Sequence, residues 1–226
     1  MIPAATYDQI ELLLNETAFQ SNVGYIEGIP IINNLVGFIF FDQNFSSRAS
    51  GDFLRNLHFL SENSGKFIHF FLPGVSKYGS NPDDISVEIP GLNPPHYHNT
   101  RAFLSFRDKF EHHIPNWKFD SGISVVLIDL SKVKGVRILD FDSAIFFDVN
   151  QLITHQIVDN TSQLLSKIIR LVRDSELVTA KEIRGAFELQ FGKNWMKGLI
   201  LGLFPKKLKR LTKVSTVLAG GRAHNE

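Results

Sequence analysis

The seven residues "LVGFIFF" (Leu35–Phe41) decide how the rest of the chain is read. A strand with one wet face alternates apolar and polar residues, and this run has no polar position at all. It has to be covered on both faces, which places it in the middle of a layered sheet. A second run of the same kind, "KFIHFFL" (Lys66–Leu72), follows after one amphipathic stretch, "SGDFLRNLHFLSENSG" (Ser50–Gly65). There Phe53, Leu54, Leu57 and Leu60 recur at helical spacing, with Ser50 suited to cap the start and Gly65 to stop the end. Strand, helix, strand makes the two apolar runs parallel neighbours joined by a right-handed crossover.

Upstream, Tyr7, Ile10, Leu13, Leu14 and Phe19 predict an opening helix, and "YIEGIPII" a short strand or hairpin. Downstream, the Pro- and Gly-rich stretch from Pro73 to Pro95 predicts a long loop with one short strand at "ISVEI". A helix from Thr100 to His113 then leads through "IPNW" to the strand "GISVVLIDL". A turn at "SKVKG" brings "VRILDF" and "AIFF" back as antiparallel partners. Leu152 to Arg173 has helical periodicity, and Thr179 with Glu182 forms a capping box for a further helix.

These elements predict an α/β fold of three-layer type with a mixed sheet, a domain over residues 1–190 and a helical extension over 191–226. Parallel strands first and an antiparallel pair later, with helices between, resembles the element order of a thioredoxin-like sheet; a flavodoxin-like or other Rossmann-type layout is the alternative. Around Ser46 the sequence reads "SSRAS", without cysteine where a thioredoxin places its redox pair.

The 226 residues contain no cysteine, which excludes disulfides, thiolate metal sites, cysteine nucleophiles and thiol redox chemistry. No run of about 18 apolar residues occurs, and the N-terminal "MIPAATYDQIELLLNET" is acidic where a secretory signal is basic. Cytoplasmic location is the expectation, with peripheral attachment to a membrane as an option. The net charge of +1 hides an asymmetry. Residues 1–188 carry 16 Lys and Arg against 22 Asp and Glu, whereas residues 189–226 carry 8 against 1.

Three short patterns invite a chemical reading. "GVSKYGS" (Gly74–Ser80) has the glycine spacing of a phosphate loop, but Ser80 stands where the lysine is needed. "ILDFDSA" (Ile138–Ala144) resembles the first motif of haloacid-dehalogenase-like phosphatases, which would make Asp140 a nucleophile and Asp142 an acid/base. The plainer reading has both aspartates pointing outward from an antiparallel strand. "PPHYHN" sets His96 and His98 two apart, and "EHHIP" adds His112 and His113; with Asp42 or Asp129 at strand ends, alternate histidines can share one metal ion.

The basic end holds the clearest signal. From Lys206 to Leu218, helical projection groups Lys206, Lys209, Arg210 and Lys213 in one sector and Leu208, Leu211, Val214 and Leu218 in the opposite one, with Pro205 suited to the first helical position. The segment before it, Trp195–Phe204, is apolar nearly all round. Its apolar residues either cap the domain core, lie in a membrane surface, or dock in a partner's groove, another copy of the chain included. Nucleic-acid phosphate would use the lysines and leave the leucine stripe unexplained.

The function these features predict is a binding or regulatory component that engages a protein partner or a membrane surface through Trp195, Phe204, Lys206, Lys207, Leu208, Lys209, Arg210, Leu211 and Lys213. No cofactor is called for. The alternative is a metal- or nucleotide-dependent, hydrolase-like enzyme with its site at the strand ends near Asp42, Asp129 and the 74–98 loop. Asp42, Asp140 and Asp142 are its catalytic candidates, and His96 and His98 its metal ligands.

Overall fold

A computed structural model describes residues 2–4, 6–15, 34–42, 48–64, 67–76, 86–89, 95–174 and 179–191. Leu35–Phe41 forms strand β2, and every one of its residues is buried. Alternation sorts them: Leu35, Ile39 and Phe41 join one core cluster while Val36, Phe38 and Phe40 join a second on the opposite face. The second apolar run becomes β3 (His69–Pro73), paired in parallel with β2 through Val36 and His69, Gly37 and Phe70, and Phe38 and Phe71. The two runs are parallel neighbours, as their composition requires.

Between them the amphipathic stretch makes two short helices, α2 (Arg48–Arg55) and α3 (Leu57–Ser64), broken at Asn56. Asn56 turns its side chain back onto Asp52, donating to the Asp52 carbonyl (2.9 Å) and carboxylate. Such local bonds compete with the helical ladder. Ser50 lies inside α2 rather than capping it.

The N-terminus supplies a strand that periodicity did not reveal, β1 (Ile2–Ala4), parallel to β3 and followed by α1 (Tyr7–Leu14). On the other side β7 (Ile123–Val133) runs antiparallel to β2, and β8 (Val136–Asp148) antiparallel to β7. The result is a mixed five-stranded sheet of order β1-β3-β2-β7-β8. "VRILDF" and "AIFF" are one strand whose register shifts opposite Leu127–Asp129, absorbing the residues around Asp142 and Ser143 in a bulge.

Within the described part of the predicted loop after β3, the expected short strand at "ISVEI" forms, and a further one precedes it. β4 (Val75–Ser76) and β5 (Ser86–Glu88) flank β6 (Tyr97–Asn99) in a separate antiparallel sheet of order β4-β6-β5. Helix α4 (Thr100–His113) follows at once, because the Asn99 side chain accepts the Ala102 N–H (2.8 Å). The periodic stretch 152–173 is divided into α5 (Val149–Thr154) and α6 (Thr161–Asp174), separated by a positive φ at Gln156 and restarted by the Asn160 side chain on Gln163 N–H. The capping box at Thr179 and Glu182 forms as its spacing predicts and opens α7 (Ala180–Phe191). Among the described residues no helix is long and apolar enough to cross a membrane.

Helices cover both sides of the sheet. The first cluster holds apolar side chains of α2, α3, α5, α6 and α7; the second holds those of α1 and α4 and is dominated by aromatic rings. Phe110 lies at its centre, with ring centroids 4.7 Å from Phe38, 5.0 Å from Phe40 and 5.4 Å from Phe141 in edge-on geometry. Each such pair adds about 0.5–1.5 kcal/mol beyond simple burial. Phe19, the stretch "YIEGIPII", Gly65 and everything after Phe191 lie outside the described residues.

Candidate functional site

In open α/β sheets the carboxyl ends of the parallel strands are where loops leave the backbone polar groups available to a ligand. Here that end is formed by Asp42 after β2 and by Gly74 after β3, whose carbonyl accepts Asn99 N–H from the small sheet (2.8 Å). Asp42 Oδ2 accepts the Gly122 N–H (2.9 Å) while Asp42 N–H donates to the Gly122 carbonyl (3.3 Å). Gly122 has φ +74°, and a Cβ there would meet the Asn150 side chain at 1.9 Å. The positive φ favours glycine here, whereas the exposed Asn150 side chain could move aside for a Cβ. Nearby, the buried Trp117 indole donates to Ser124 Oγ (2.9 Å), tying the segment before β7 to its first turn of ladder.

His98 sits on the central strand of the small sheet, 1 % exposed, with its ring 5.4 Å from Phe41 and 5.1 Å from Phe103. Burial lowers its pKa to about 4, outweighing a hydrogen bond to the Phe41 backbone and the attraction of Asp42. The imidazole is therefore neutral at neutral pH and faces the core, a poor place for a proton carrier that must reach a substrate. His96 is half-buried, and its carbonyl accepts Ile89 N–H. Among the described residues no three His, Asp or Glu side chains gather as a metal site would need. His112 and His113 end α4 far along the chain's other face, where His113 stacks on Phe141 at 4.6 Å.

Asp129 does not join Asp42. It pairs with Leu35 at the start of β2, six residues from the Phe41–Ile123 pair, so the two carboxylates lie at opposite ends of the sheet, about 20 Å apart. Asp129 is instead a helix cap: its Oδ1 accepts the Ala180 N–H (2.7 Å) at the start of α7, and its own N–H donates to Ser143 Oγ (2.8 Å). Burial raises its pKa, and the charges of Asp140, directly opposite in the ladder, and of Glu182 add to that.

Asp140 and Asp142 stand at this same lower end, in the bulge of edge strand β8, where Asp142 N–H donates to Asp140 Oδ1 (3.2 Å) and Ser143 Oγ to the Asp140 carbonyl (2.7 Å). Asp142 is exposed; Leu139 is buried and Phe141 partly so. Asp142 thus points outward, Asp140 is half-buried opposite Asp129, and neither stands at the end of a parallel strand, where a phosphatase nucleophile is needed. Sequence reading missed Gly122, Asn150 and Ser143. The small, turn-forming pair Ser121-Gly122 just before an apolar run was their only signal.

Helix α7 links the two ends. It begins at Asp129 and climbs beside β8 until the Phe187 ring packs 5.2 Å from Phe147. It therefore ends toward the end of the sheet that carries Asp42, and Leu189, 91 % exposed, stands on its last turn. The basic segment from Trp195 to Lys213 lies beyond the described residues. No protein-family profile, no curated protein and no solved structure matches the chain.

Proposed function

We propose that the chain is a thioredoxin-like domain without thiol chemistry, a binding or regulatory component that uses its basic C-terminal extension to engage an anionic membrane surface or the groove of a protein partner. The observation that carries this reading is the segregation of charge: net −6 over residues 1–188 and net +7 over residues 189–226. The strand order β1-β3-β2-β7-β8, three parallel strands followed by two antiparallel ones, supports the thioredoxin-like layout. The absence of cysteine removes the chemistry such a layout often carries. An exposed Leu189 at the end of α7 continues the apolar character of the segment that follows it. A cytoplasmic chain, peripheral to a membrane when bound, fits these features. With Asp42 and Asp129 at opposite ends of the sheet, the hydrolase-like alternative would draw on Asp42 and the 74–98 loop without Asp129.

The test removes residues 193–226 and measures co-sedimentation with anionic vesicles and capture of a protein partner. A folded domain that has lost binding supports the reading. Within the intact chain, Lys206, Lys207, Lys209 and Arg210 changed to Gln should weaken binding to lipid or phosphate in a salt-dependent way, whereas Leu208→Ala with Leu211→Ala should weaken docking even at high salt. An unfolded or insoluble truncation assigns the segment to the domain core and overturns the proposal.

A further inference from the structure

The outer halves of β7 and β8 take no part in the arrangement around Asp42. Among the described residues β2 ends at the Leu35–Asp129 pair, Leu130 N–H still donates to the Asn34 carbonyl, and residues Leu130–Leu139 continue as a two-stranded ribbon. Its cross-strand pairs are Leu130 with Leu139, Ser131 with Ile138, Lys132 with Arg137 and Val133 with Val136. Alternation puts Val133, Val136 and Ile138 on one face, and all three are uncovered, at 50 %, 46 % and 41 % exposure. Single exposed apolar side chains are ordinary, but three neighbouring ones on one face of a ribbon end form a patch. Lys132 lies on the opposite face with its partner Arg137, and Lys134 at the turn; both lysines are exposed and pair with no described carboxylate, so the ribbon from Leu130 to Leu139 carries three cations and no acid between the flanking Asp129 and Asp140. The ribbon is anchored by buried Leu130 and Leu139 and by Arg137 N–H donating to Asn15 Oδ1 (3.1 Å). Its turn places Lys134 at φ 52° and Gly135 at φ 86°. A two-residue hairpin turn demands such angles and ordinarily uses Asn or Asp at the first position; here a lysine occupies it, putting an ammonium at the apex.

We propose that this ribbon tip is a lipid-contacting element that enters the interface of an anionic bilayer apex first. Charge decides the sign of the partner, and the valines decide its kind. Duplex nucleic acid would satisfy the cations and leave Val133, Val136 and Ile138 wet, whereas a bilayer interface takes the apolar side chains at the acyl boundary and lets lysine stems reach the phosphates. The acidic pair Asp129 and Asp140 stands about 13 Å behind the tip, near the α7 start and away from the headgroups. This site lies at the opposite end of the sheet from the end of α7, so it is a second contact and does not rest on the first.

Because the chain has no cysteine, Val133→Cys and, separately, Val136→Cys each provide one attachment point for an environment-sensitive fluorophore in the full chain. Phe59→Cys on α3, 58 % exposed, is the matched control. Vesicles of mixed phosphatidylserine and phosphatidylcholine should shift the emission of both ribbon labels to the blue and leave the control unchanged. Phosphatidylcholine alone should give no shift. Lys132→Gln and Lys134→Gln should weaken partitioning by roughly fivefold per removed cation. Ribbon labels that remain in water while the chain sediments with vesicles overturn the proposal and leave the C-terminal extension as the lipid anchor. A shift with duplex DNA but not with vesicles, or one that grows with protein concentration in the absence of lipid, overturns it in favour of nucleic acid or of self-association.

Discussion

At the end of the sheet where β2 and β3 finish, polar groups are turned inward: Asp42 is occupied by Gly122, Trp117 by Ser124, and His98 lies under Phe41 and Phe103. At the other end β7 and β8 run on past their neighbours and show valines and lysines to solvent. The first end resembles a finished core, and the second a surface prepared for something apolar and negative. At the customary place for a ligand in an open α/β sheet, the small sheet β4-β6-β5 here brings the buried His98 ring against Phe41.

Matched truncations should expose this contrast most strongly. Trp117→Ala removes a fully buried ring together with the donor to Ser124, and is expected to lower unfolding free energy by about 3–5 kcal/mol in urea denaturation. Val133→Ala and Val136→Ala should each cost no more than about 0.5 kcal/mol, as surface changes do. Comparable losses at both ends would mean that the ribbon is packed against part of the chain, and the contrast would be gone.

Acid should separate the ends by sign. His98 has a folded pKa near 4, below its ordinary 6.5, so the unfolded chain takes up its proton first as pH falls. Stability from this group is present above pH 6.5 and is lost between there and about pH 4, with an upper bound of about 3 kcal/mol. His98→Gln should flatten stability across that window; an unchanged slope would show that the ring is open to water. Asp129 behaves oppositely, since burial raises its folded pKa. Its contribution is complete at low pH and is lost as pH rises from the ordinary carboxylate range through the raised value. Asp129→Asn keeps an oxygen for the Ala180 N–H and should be no less stable than the parent at neutral pH. Asp129→Ala leaves the Thr179–Glu182 capping box but removes the acceptor of the Ala180 N–H, and should cost about 1 kcal/mol.

What could be read from the sequence follows from how local each signal is. Two-sided apolar runs specify β2 and β3 because no other environment accepts Leu35–Phe41, and Asn99 and Thr179 announce helix starts through bonds made within three residues. Three-residue strands such as Ile2–Ala4 and Tyr97–Asn99 have no period to detect, and exist because a sheet edge or a neighbouring strand pairs with them. The breaks at Asn56 and Gln156 interrupt helical patterns that are otherwise unbroken in hydrophobicity. The site fared worse for a global reason. Asp42 and Asp129 both follow or end apolar runs and look equivalent in sequence, but the antiparallel direction of β7 sends them to opposite ends.

The smallest expected effect bears most directly on the open end. Lys134 occupies a left-handed conformation in which its Cβ crowds the following carbonyl, a strain that asparagine tolerates better by bonding locally with its short polar side chain. Lys134→Asn should therefore raise stability by about 0.5–1 kcal/mol, since nothing described packs on that exposed side chain. If the lysine is kept at the apex for what it meets outside the molecule, the same substitution should weaken partitioning onto anionic vesicles while the domain becomes harder to unfold. Stability and binding moving in opposite directions in one variant would be the signature of a residue retained for contact, because backbone strain persists where a use compensates for it. A variant that is more stable and binds vesicles as the parent does would strip Lys134 of that role and return the turn to ordinary surface.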